Sequence, residues 1–313
     1  MESSHNGAFD TRRTNDLGPL LRRRYGRPAR KLIILLGTTC PHRTGTGAGG
    51  CIFCAEGVSP PPPPVREQVT QGLARLGPGV AAVAYLRDHT ATLLPAERLA
   101  RVLDELRRAP RVVAVAIGTR PDCLPRPIVD LLARHAAEID LWVELGLQTA
   151  NDRTLELIRR GHDVRCFVAA VEQLHRRGIR VCAHVILGLP TPGRRGAIGT
   201  ETVDDAVATA RLIAATGVEA VKLHNCHVLA DTPLAELHRR GRYDPPDLAG
   251  YIDRLIPFLE HLPPTVEIHR LVGEAREPEL LAPAFTGDKA AALAAIRAEL
   301  AARDTYQGRR AGR

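Results

Sequence analysis

Short apolar runs alternating with amphipathic helical stretches constrain this chain more than any other feature. The runs are KLIILLG (31–37), VAAVAYLR (80–87), RVVAVAIGTR (111–120), LWVELGLQ (141–148), RVCAHVILGLP (180–190) and VEAVKLHNCHV (218–228). TVEIHRLVG (265–273) is one more. Between them lie segments with apolar residues at helical spacing, such as VREQVTQGLARL, PAERLARVLDELRRA and CFVAAVEQLHRRG, the last closed by Gly178. Strands alternating with crossover helices imply a parallel sheet. Six core strands and one more are too few for an eight-fold barrel, and the first strand-to-helix turn lacks a G-x-G-x-x-G. The expected class is therefore α/β, a partial (β/α)6 TIM-like barrel. An N-terminal extension is expected over 1–30, the core over 31–275 and a C-terminal helical tail over 276–313. In such folds catalytic groups collect at the C-terminal ends of the strands. The loop after the first strand, Arg120, Gln148 and the 224–227 cluster all fall there.

Composition narrows the function classes. Of 313 residues, 44% are hydrophobic and 25% charged, which excludes a wholly disordered chain. No apolar run is long enough to span a membrane, and MESSHNGAFDTRRTND has no signal-peptide core, so a cytoplasmic location is expected. The net charge of +8 permits contact with nucleic acid, although a bias toward Arg and Ala explains it equally well. SPPPPP (59–64) reads as a stiff spacer.

The seven cysteines are odd in number and the chain is not small, so a disulfide framework explains them poorly. Three fall within fifteen residues, as Cys40-x10-Cys51-x2-Cys54 in a glycine-rich loop. A structural zinc site wants four ligands, and His42 is too close to Cys40 for usual finger spacings. A redox C-x-x-C pair does not need Cys40. An iron–sulfur cluster normally takes four cysteines, so three leave one iron open to a further ligand. The spacing favours such a [4Fe–4S] cluster, with zinc, redox chemistry and packing as alternatives. Cys123, Cys166, Cys182 and Cys226 read as buried packing residues.

GTTCPHRTGTGAGGCIFC, GTRPDCL (118–124), WVELGLQTANDRTLELIRRGHD (142–163), HVILGLP (184–190), KLHNCHV (222–228), IHRLVGEA (268–275) and RDTYQG (303–308) occur in order. Together they resemble the radical S-adenosylmethionine (radical SAM) superfamily, in particular the YhcC-like family related to elongator-type radical enzymes. The resemblance spans nearly the whole chain and implies a radical SAM barrel. It also implies that Cys40, Cys51 and Cys54 hold three irons, the fourth chelating the methionine part of S-adenosylmethionine. Reductive cleavage would give methionine and a 5′-deoxyadenosyl radical, with electrons from a donor such as flavodoxin or ferredoxin. The substrate would be RNA or a small molecule.

The resemblance places Phe53, Glu144, Gln148 and Gly188 at the cofactor. Phe53 precedes the last cysteine and would lie near the adenine, or else only packs the loop. Glu144 and Gln148 would meet the ribose or methionine part; a structural ion pair of Glu144 with Arg120 is the alternative. Gly188 would allow close approach near the adenine, or simply turn the chain. Lys222 and His224 share a strand face and are the candidate catalytic groups, binding an anionic substrate group or moving protons. His269, Arg270 and the Arg120/Asp122 pair are open between site and structural roles. One departure stands out: Arg87, His89 and Ala91 replace the family's usual Gln, Tyr and Asn after the second strand. The competing reading is a non-catalytic zinc- or iron–sulfur-binding protein that contacts nucleic acid. A hydrolase finds no G-x-S-x-G or H-E-x-x-H to support it.

Overall fold

A computed structural model describes residues 13–44, 49–55, 61–87, 90–275 and 278–312. Seven strands form one parallel sheet: β1 (Ala29–Ile34), β2 (Ala81–Leu86), β3 (Val112–Thr119), β4 (Asp140–Gln148), β5 (Arg180–Leu187), β6 (Ala220–Asn225) and β7 (Glu267–Arg270). Their spatial order is their chain order, and the sheet stays open between β1 and β7. It is strongly curled. Three strands separate β2 from β6, which in a flat sheet puts them about 19 Å apart. Yet Lys222 Nζ on β6 lies 2.8 Å from the Tyr85 hydroxyl on β2.

Strict alternation divides the strand residues between two surfaces. Outward-facing Leu32, Ile34, Val115, Ile117, Val143, Leu145, Val185, Val221 and Leu223 join the main core under the helices. Inward-facing Val83, Ala114, Ala116, Trp142, Cys182 and Ala220 form a separate interior cluster. Alanines on β3 and β6 leave room for the one tryptophan. Helix α1 (Leu17–Tyr25) closes this interior from the N-terminal end with Leu17 and Leu21.

The outer helices follow the expected order. They are α2 (Val65–Leu76), α3 (Ala96–Arg108), α4 (Arg126–Ala136), α5 (Asp152–Leu157), α6 (Val164–His175), α7 (Val203–Thr216), α8 (Pro233–Arg239), α9 (Leu248–His261) and α10 (Lys289–Ala302). Two local expectations change. The last strand keeps only four residues, and the run 218–228 breaks after Asn225. The glycine-rich cysteine loop contains one helical turn at Pro41–Thr44. The two ends of the described chain meet beside β7. Ile268 donates to Asn15 O, Asn15 N donates to Gln307 Oε1, and Gln307 Nε2 donates to Val266 O. No helix among the described residues is long and apolar enough to cross a membrane.

Candidate active site

The C-terminal ends of the strands open on a cavity of about 230 Å³. Cys40, Cys51, Cys54 and Phe53 line one side, and Glu144, Gln148 and Lys222 line the other. Seven candidate residues thus share one space. His224 and Gly188 are not among its lining residues.

The cysteine loop is clamped by the turn that follows α5. Asn151 caps that helix by accepting from Arg153 N and Thr154 N. Beyond it, Ile52 N donates to Ile158 O, His42 Nε2 lies 2.5 Å from Arg159 O, and the Arg120 guanidinium donates to Arg160 O at 2.9 Å. Arg160 itself turns inward. Its guanidinium donates to Cys51 Sγ at 3.6 Å and to Gly146 O at 2.8 Å. Gly146 leaves room there: a Cβ would lie 2.3 Å from Arg160 Nη2 and 2.7 Å from Gln148 Nε2, so both side-chain ends would have to shift. A hydrogen bond from Cys54 favours the Cys51 thiolate, and the Arg160 charge adds to this against the cost of burial. Arg160 is buried and meets no carboxylate among its hydrogen-bond partners. Its counter-charge is the thiolate side of the cavity. Sequence reading passed over Arg160; its signal was the pair of arginines before Gly161 in a strand-following turn.

The opposite wall is built by register. Glu144, third inward residue of a row that includes Trp142 and Gly146, pairs with Cys182 on β5. Lys222 Nζ reaches Glu144 Oε2 at 2.6 Å, and Lys31 Nζ reaches Oε1 at 3.4 Å. Burial alone would raise the Glu144 carboxyl; the two lysines hold it well below the usual carboxylate range. Burial pushes Lys222 down to about 8 against the pull of Glu144. Lys222 also lies over the Tyr85 ring, 4.5 Å from its centroid. The Arg120 alternative for Glu144 does not occur: Arg120 holds Asp122 with two 2.8 Å bonds.

Gln148 ends β4 at a positive φ of 76°. Its Oε1 accepts from His184 Nδ1 at 2.9 Å, leaving the amide nitrogen to the cavity. Gly188 has φ 82°, and the place of its missing Cβ is filled by Pro246, 2.6 Å away. Its conformation turns the chain after β5. His224 Nδ1 lies 2.6 Å from Asn225 O, so that nitrogen carries the proton. Arg87 is exposed at the cavity, Ala91 is buried in a 3-10 turn, and His89 lies outside the described residues.

Below the cavity, Glu144, Cys182 and His269 bring three potential ligand atoms within 4.8 Å of one another, the one such trio among the described residues. The two ammonium groups already on Glu144 oppose a divalent cation there. The three loop cysteines do not form so tight a set. A single zinc ion with Zn–S bonds of about 2.3 Å would draw them closer than that, whereas a multi-iron cluster holds its thiolates further apart.

A curled parallel half-barrel with three cysteines after its first strand defines the class. The sequence matches the radical SAM superfamily over residues 34–195 and the Radical_SAM C-terminal domain over 218–302. The chain belongs to the radical SAM superfamily, whose enzymes use a [4Fe–4S] cluster and S-adenosylmethionine. It is 34% identical to protein YhcC of Escherichia coli (strain K12) over 275 residues, 86% of each chain. It is 34% identical to YtqA of Bacillus subtilis (strain 168) over 307 residues, covering 95% of this chain and 92% of that one. Among solved structures it is similar to the archaeal Methanocaldococcus infernus Elp3 with an N-terminal deletion, with a TM-score of 0.63 and 17% identity. That alignment covers 89% of this chain and spans 64% of the length of the other, and it supports the fold alone.

Proposed function

We propose that Cys40, Cys51 and Cys54 hold a [4Fe–4S] cluster and that the chain is a radical SAM enzyme acting on an anionic or polar substrate. The observation that carries this is the shared cavity: three cysteines on one wall, Arg160 against Cys51, and a charged wall opposite. When bound, the cluster and S-adenosylmethionine supply reductive cleavage of the S–C5′ bond and a 5′-deoxyadenosyl radical. The reducing electron comes from a carrier of the flavodoxin or ferredoxin class.

The chain's own groups divide the remaining work. Arg160 offsets thiolate charge from a position fixed by Gly146 O. Gln148, oriented by His184, offers an amide N–H to the polar part of the cofactor. Phe53 supplies an apolar face on the cysteine side and helps exclude water. Glu144 fixes Lys222 at the cavity wall, where the ammonium can hold or release a proton. His224, with its proton on Nδ1, leaves Nε2 as an acceptor on the same strand. The zinc-binding, non-catalytic reading is not favoured, because among the described residues the three cysteines do not form a set as tight as one zinc ion needs.

The test is anaerobic reconstitution with iron and sulfide, then reduction and addition of S-adenosylmethionine. About four irons per chain and 5′-deoxyadenosine by mass spectrometry are expected. A Cys40/Cys51/Cys54→Ala variant should lose both. Tightly bound zinc, or a cluster that never cleaves the cofactor, would sink this reading.

A further inference from the structure

Arg270 ends β7, on the far side of His184 from the cysteine loop. It is partly buried, and its guanidinium meets no carboxylate among the described residues. Its hydrogen bonds go to the Leu223 carbonyl at 3.1 Å and to His184 Nε2 at 3.3 Å. A guanidinium carries five N–H donors, so three have no partner among the described residues.

Among the described residues, Glu144 supplies negative charge at a distance but makes no ion pair with Arg270. His184 and His224 lie 5.8 Å apart, and His224 and His227 lie 4.5 Å apart, between ring centroids. Burial, and then the Arg270 charge, push all three imidazoles below their ordinary range, so they are neutral at pH 7. Within the half-barrel, Lys31, Lys222 and Arg270 surround one carboxylate, Glu144, and both lysines are already on it. The other buried arginines of the site are accounted for: Arg120 holds Asp122 and Arg160 faces Cys51. A buried cation without a counter-ion is costly. Arg270 does not line the cysteine cavity itself; it reaches that cavity through His184.

We propose that Arg270 receives an oxyanion of the substrate, a carboxylate or a phosphate, through its open N–H donors, with His224 beside it. Calling the ligand the substrate rests on the radical reading above; the anion site itself does not. Arg270 N–H donates to His184 Nε2, and His184 Nδ1–H donates to Gln148 Oε1. Anion binding is thereby connected to the amide that faces the cofactor side.

The experiment titrates inorganic phosphate and acetate separately, by calorimetry, into wild type, Arg270→Gln and Arg270→Lys. Chloride holds the ionic strength constant, and each protein is used both as isolated and after cluster reconstitution. Wild type should saturate with one of the two anions. Phosphate would identify a phosphate-bearing substrate, and acetate a carboxylate. Arg270→Gln should bind at least about tenfold more weakly. Arg270→Lys, which keeps the charge and loses the planar fork, should fall between them, and a native-like unfolding transition in it separates lost binding from lost folding. Saturation by neither anion in wild type, or equal binding by Arg270→Gln, would overturn the proposal. Anion binding that persists in a chain taking up no iron would remove the radical reading and support the anion site.

Discussion

Lys222 Nζ sits 2.6 Å from Glu144 Oε2, although 78 residues separate the two in sequence. Both side chains are buried. Removing one partner of such a pair strands the other without a counter-charge, at a cost of about 3–5 kcal/mol. Glu144→Gln and Lys222→Met should each destabilise the protein on that scale. Lys31 softens the second, because it stays on the carboxylate. The double variant should lose less than the sum of the singles. Additive losses in urea denaturation would show that the pair is not coupled.

Glu201 gives a pH signature. Burial raises its carboxyl to about 7 from 4.5, against the Thr149 hydroxyl that donates to it at 2.6 Å. Between those values the native state holds a proton that the unfolded state has lost. Its contribution to stability is complete below about pH 4.5 and declines as pH rises through 7. Glu201→Gln cannot ionise, so its stability relative to wild type should rise across that window, by about 3 kcal/mol at most. A flat difference between pH 5 and 8 would contradict this.

Arg160 should tune the cluster. With its guanidinium 3.6 Å from Cys51 Sγ, it favours added negative charge on that side. Arg160→Gln should keep the iron content and lower the midpoint potential, read by a redox titration followed with electron paramagnetic resonance. An unchanged or raised potential would remove Arg160 from this role.

Two glycines separate site effects from fold effects. Gly146→Ala would place a Cβ 2.3 Å from Arg160 Nη2, so it should disturb Arg160 and lower the yield of 5′-deoxyadenosine. Gly188→Ala meets Pro246 at a φ of 82°. It should cost about 1–3 kcal/mol of stability and leave affinity for S-adenosylmethionine near wild type. A large loss of that affinity in a folded Gly188→Ala protein would put Gly188 at the cofactor instead.

The chain order of strands and helices was legible from periodicity, because a strand buried on both faces needs its apolar run wherever it sits. The cysteine spacing was legible because all three residues belong to one loop, and Glu144 and Lys222 were visible as polar residues within apolar strands. Their pairing was not. Curling of the sheet joins β1, β4 and β6 across its interior, and no local pattern encodes which charges then meet. Arg120 takes Asp122, two residues on in its own loop, which leaves Glu144 to the lysines that the curl brings in. Arg160 and His184 entered the site for that reason too, each from an element distant in sequence from the cysteines. By itself the sequence determined the repeating unit and the reactive loop. The tertiary structure decided which charges are paired and which, like Arg270, are left for a ligand, because that balance depends on contacts between strands far apart in the chain.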